Sequence, residues 1–84
     1  MGKYEGRENI KNVYHIFPNP TNDLLYINGL PPQKTNITLY DVLGKKVFST
    51  FTSGEKLYNI NVGHLPKGLY IILVGHISQK IVVE

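Results

Sequence analysis

Apolar residues fall in short runs along this chain, most of them alternating with polar neighbours, and none recurs at the helical spacing. The most apolar run is residues 65–74, LPKGLYIILV. Pro66 fixes φ and Gly68 permits a positive one, so a turn opens the run. Residues 69–74 carry no charge and are dense in β-branched and aromatic side chains, which favours strand over helix. Tyr70, Ile72 and Val74 share one parity, and Leu69, Ile71 and Leu73 the other. Both parities are apolar, which predicts a central strand covered on both faces.

The remaining runs are shorter. Residues 13–17, VYHIF, predict a first strand that stops at Pro18-Asn19-Pro20, because proline lacks the N–H that a ladder requires. The stretch PNPTND reads as a rigid corner that needs no ligand to explain it. Residues 24–28 predict a second strand with Leu25 and Ile27 on one face; Gly29, Pro31 and Pro32 end it. Residues 37–40 alternate, with Ile37 and Leu39 on one face. Asp41-Val42-Leu43-Gly44 then predicts a type I turn with a bulge. There Asp41 accepts from turn N–H groups, Gly44 supplies φ > 0, and residues 45–51 return as the partner strand. Lys45 and Lys46 lie at the hairpin mouth, where a solvated end is a simpler account than an anionic contact. Residues 57–62 form a strand with Tyr58, Ile60 and Val62 on one face. Gly75-His76 makes a turn, and residues 77–84 form a last strand with Lys80 toward solvent.

The sum is all-β: about seven short antiparallel strands divided by turn signals, the pattern of an immunoglobulin-like Greek-key sandwich. In such sandwiches a tyrosine that enters a strand after a turn can return its hydroxyl to upstream backbone, a tyrosine corner. Tyr70 stands in that place after Leu65-x-x-Gly68. The alternative is a ring that only packs.

Eighty-four residues make one small domain. A domain of this size buries only about 60–65% of its unfolded surface, so its core must be efficient. With no cysteine, neither a disulfide nor a thiolate zinc site can assist it. Residues 1–12 are polar and aperiodic, and read as a disordered linker or cloning remnant ahead of a domain at residues 13–84. The first residues lead into no apolar signal-peptide core, and no run reaches membrane-spanning length.

Candidate chemistry is sparse. His15, His64 and His76 fall in separate segments with no partner at metal-ligand spacing. The acidic residues are scattered over loops and ends, with no pair set for acid–base work. No serine has a nucleophile-elbow context, and no glycine-rich loop precedes a helix. The net charge of +3 is well short of a nucleic-acid footprint. The six tyrosines lie mostly in strand patterns, which packing explains better than base stacking. These residues point to no catalysis, cofactor, nucleic acid or membrane span.

Four motifs stand in order: FPNP at residues 17–20, LYDVLGKKV at 39–47, LPKGLYII at 65–72 and KIVVE at 80–84. Together they resemble the type A C-terminal sorting domain of the type IX (Por) secretion system of Bacteroidetes. The resemblance implies a β-sandwich at the end of an exported protein, recognised by the outer-membrane translocon. A sortase-like protease then usually removes it, and the cargo passes from the periplasm to the cell surface or is released. By the same resemblance the sorting-motif residues are Pro18, Asn19, Pro20, Asp41, Gly44, Lys45, Lys46, Leu65, Gly68, Tyr70, Lys80, Ile81, Val82, Val83 and Glu84. Many relatives end on a basic residue where this chain has Glu84. The alternative reading is a fibronectin-like adhesive or carbohydrate-binding module. If the chain is a sorting domain, residues 78–84 are the expected handle: a final strand with a free end and unpaired edge groups that a partner strand could extend.

Overall fold

The computed structural model describes residues 14–84. The linker expected at residues 1–12, and Val13 as the start of the first strand, lie outside them. Seven strands follow in order: β1 (His15–Phe17), β2 (Leu24–Asn28), β3 (Asn36–Asp41), β4 (Lys46–Phe51), β5 (Leu57–Asn61), β6 (Gly68–Val74) and β7 (Ile77–Val83). They form two antiparallel sheets, β1-β2-β5 and β4-β3-β6-β7. The neighbours β2/β5 and β3/β6 are not consecutive in the chain, so the connections cross between layers as in a Greek key.

The alternation read from the sequence selects the buried faces. Leu25 and Ile27 of β2 and Ile60 of β5 meet Ile37 and Leu39 of β3, with Tyr70, Ile72 and Val74 of β6 and Ile81 and Val83 of β7. Ile16 of β1, Leu30, and Val62 just past β5 complete the set. On the outer side of the small sheet, the register partners Phe17 and Tyr26 stack at 5.5 Å between ring centroids.

One expectation is corrected. Strand β6 lies inside its sheet, between β3 and β7, but only one of its faces is covered. Leu69 is 40% exposed, and Ile71 and Leu73 are half-buried. A two-layer sandwich has nothing to pack against its outer sides, so the second apolar parity of β6 forms a strip on the surface.

The sandwich has two poles. One gathers the corner at residues 18–23, the β3–β4 turn, the turn at residues 62–67 and the end of β7. The pairings Asp41 with Tyr70, Gly68 with Val83 and Thr21 with Val83 bring these together. The other gathers Tyr14, the loops on either side of β3 and β4, and the Gly75-His76 turn. At that second pole the Thr35 N–H donates to the buried Thr52 hydroxyl at 3.2 Å, while the Thr52 N–H donates to the Thr35 carbonyl at 2.9 Å. The exposed Glu55 carboxylate accepts from the Ser53 N–H at 2.6 Å, which holds its pKa below the ordinary range.

Candidate functional site

All four motifs end at the first pole. LPKGLYII places Tyr70 with its ring in the core and its hydroxyl donating to the Pro66 carbonyl at 2.5 Å. Residues 66–70 are thereby closed into a loop, the expected tyrosine corner. Leu65 packs beneath it, and its N–H donates to the Val62 carbonyl. Tyr70→Phe keeps the ring and removes this bond, so a loss of about 1 kcal/mol is expected. Equal denaturant midpoints for the two proteins would reduce Tyr70 to packing.

LYDVLGKKV forms the hairpin that the sequence predicts. The Asp41 carboxylate accepts from the Leu43 and Lys45 N–H groups, each at 2.9 Å, and the Gly44 N–H donates to the Asp41 carbonyl at 3.0 Å. A register shift between Leu39 and Tyr40 is the bulge. Gly44 holds φ +83° with no atom near a would-be Cβ, so conformation rather than space excludes a side chain there. Gly44→Val is expected to lose about 1–2 kcal/mol in chemical denaturation. Lys45 and Lys46 are exposed.

FPNP and KIVVE meet each other, which extends one expectation and corrects another. The corner at residues 18–23 is more than a turn: it clamps the last strand. Asn19 Nδ2 donates to the Lys80 carbonyl at 3.1 Å, and the Val82 N–H donates to Asn19 Oδ1 at 3.0 Å. Next along, the Thr21 N–H donates to the Val82 carbonyl at 2.9 Å and the Glu84 N–H to the Thr21 carbonyl at 2.8 Å. Both X–Pro bonds, before Pro18 and Pro20, are cis.

Strand β7 is an edge of its sheet, as the handle reading requires, but its edge is mostly taken. Backbone groups alternate in direction along a strand, and those of Lys80, Val82 and Glu84 point toward the clamp. Only those of Ser78 and the Lys80 N–H remain open among the described residues. A partner strand could not pair with residues 80–84 without displacing Asn19 and Thr21. Ile81 and Val83 are buried, as expected of anchors, while Lys80 and Val82 face outward.

The predicted residues thus form one cluster from four segments. Asp41, Gly44, Leu65, Gly68 and Tyr70 shape the pole; Asn19, between Pro18 and Pro20, holds the end of β7; Lys45, Lys46, Lys80 and Val82 are displayed. Sequence reading missed Thr21, whose backbone completes the clamp, and Leu43, which stands 89% exposed at the hairpin tip. Thr21 carried no signal, because its contribution is backbone pairing with a strand about sixty residues away. Leu43 did carry one: an apolar residue at the tip of a turn, where polar residues are usual.

Among the described residues, no group of three or more His, Asp or Glu side chains is placed to hold a metal, and no helix is long and apolar enough to cross a membrane.

Comparison with known proteins agrees with this geometry. The chain is similar to an endo-acting ulvan lyase of Formosa agariphila, with 32% identity over 57 residues, or 68% of this chain and 11% of that protein. It therefore spans about a ninth of that relative's length. Its fold is similar to part of a thermostable endoglucanase from Alicyclobacillus acidocaldarius, with a TM-score of 0.54 and 18% identity over 79% of this chain and 13% of that one. At that identity the likeness concerns the fold alone. The model of one family, the secretion system C-terminal sorting domain, matches residues 15–84. The chain belongs to this family of C-terminal signals that direct proteins out through a bacterial secretion system.

Proposed function

We propose that this chain is the address label of an exported protein and has no catalysis of its own. The type IX translocon of the outer membrane grips it at the pole where the four motifs meet. The parent crosses the periplasm with the label folded. A sortase-like protease then removes the label, and the cargo is attached to the cell surface or released. The observation that carries this reading is the convergence of Asn19, Asp41, Lys46, Gly68 and Lys80, distant in sequence, on one pole. Tyr14 lies at the other pole.

The test is a fusion of residues 13–84 to a periplasmic reporter in a host with this secretion system. The fusion is expected at the cell surface, and the reporter alone in the periplasm. A second fusion, with a short polar tag after Glu84, asks about the end itself. The clamp occupies the edge of residues 80–84, so equal export of both fusions is expected. Retention of both would return the chain to the adhesive or carbohydrate-binding reading. Loss on tagging alone would make the free end the handle after all.

A further inference from the structure

Among the described residues, no layer covers the outer face of the four-stranded sheet, and the composition of that face is specific. One cross-strand row runs Lys46, Tyr40, Ile71, Lys80 across all four strands. Strands stand about 4.8 Å apart, so the two lysines bracket the apolar pair at a Cα separation of roughly 14 Å. The adjoining row pairs Leu69 with Val82, both well exposed. Beside them Tyr40, Leu69 and Ile71 join Asp41, Val42 and Gly44 of the hairpin in lining a groove of about 500 Å³. Four of the eight exposed large apolar residues among those described, Val42, Leu43, Leu69 and Val82, belong to this one end of the face. Such concentration marks an interaction site rather than scattered surface residues.

Charge narrows the partner. Among the described residues, the carboxylates at this pole are those of Asp41, tied into its own turn by two N–H groups, Asp23 in the corner at residues 18–23, and Glu84 just past β7. Lys46 and Lys80 are exposed and make no ion pair among the described residues. An apolar centre flanked by exposed cations is complementary to an apolar side chain flanked by carboxylates. We propose that this face docks an acidic polypeptide surface, with an apolar side chain seated against Tyr40, Leu69 and Ile71 and carboxylates against Lys46 and Lys80. The inference rests on the sorting reading only in assigning that surface to the secretion machinery. Unlike strand addition, docking on the face leaves the Asn19 and Thr21 clamp intact.

The same surface-export fusion tests it. The variants are Lys46→Glu with Lys80→Glu, the same pair changed to Gln, the same pair changed to Arg, and a control with Lys34→Glu and Lys56→Glu at the other pole. Purified domains are compared by thermal unfolding, and their binding to vesicles of phosphatidylglycerol and phosphatidylethanolamine is measured. Surface reporter is expected to fall about tenfold or more for the Glu pair, since like charges then oppose each other, and less for the Gln pair. The Arg pair and the control should be exported normally. If the Glu pair unfolds, the Gln pair decides.

Export of the Glu and Gln pairs at the unaltered level, with the unaltered fusion exported, overturns the docking proposal and leaves sorting intact. An equal loss in the control overturns it as an unspecific charge effect. Vesicle binding that disappears with the Glu pair assigns the face to a lipid surface and overturns the polypeptide. Failure of the unaltered fusion to leave the periplasm rejects the sorting reading itself, and the assignment of this partner with it.

Discussion

Ile72→Ala is expected to lower the unfolding free energy by about 3 kcal/mol, within the roughly 2–5 kcal/mol seen for large-to-small changes in closed cores. Ile72 is fully buried at the middle of β6, between Leu39 of β3 and Gln79 of β7 in register. Its neighbours on the inner face are themselves buried and held by both sheets, so the vacated space cannot close fully. A domain of this length has roughly 4–10 kcal/mol in all, so the variant approaches the limit of folding. Ile71→Ala, one residue away, is expected to lose less than about 1 kcal/mol, because that side chain is half-buried on the uncovered face. Urea denaturation of both variants provides the check. Equal losses at the two positions would mean that the outer face is covered by something the two-layer arrangement lacks.

Thr52→Val is expected to cost about 2 kcal/mol although it preserves shape. The Thr52 side chain is fully buried, and its hydroxyl is the acceptor for the Thr35 N–H. Valine leaves that donor inside the protein without a partner, and the desolvation of an unpaired N–H costs about 1–3 kcal/mol. Thr52→Ser retains the acceptor and loses one methyl group, which costs about 1 kcal/mol. Serine should therefore lie between threonine and valine in denaturant midpoint. The reverse order, with valine the more stable, would show that the Thr35 N–H finds another acceptor.

These two positions differ in how they could be read. A strand sends successive side chains to opposite faces, but both parities of residues 69–74 are apolar, so that rule did not separate Ile72 from Ile71. The same rule did give the inner faces of β2, β3 and β5. Local backbone chemistry gave the hairpin at Asp41 to Gly44 and the Tyr70 corner, since each closes within five residues. Thr52 falls in the polar stretch between the strands expected at residues 45–51 and 57–62. Its role depends on Thr35, seventeen positions earlier, and nothing near it in sequence marks that pairing.

The sequence by itself determined the strand segments, the all-β class, the turn chemistry and the family, because these depend on periodicity, on proline and glycine conformation, and on motifs carried within single segments. Tertiary structure alone decided which parity of β6 meets solvent, because an apolar run does not reveal how many layers will pack on it. It alone closed most of the β7 edge, because Asn19 and Thr21 reach that edge across sixty residues of chain. It also set Lys46 and Lys80 in one row, since a cross-strand row exists only after β4, β3, β6 and β7 have found their register.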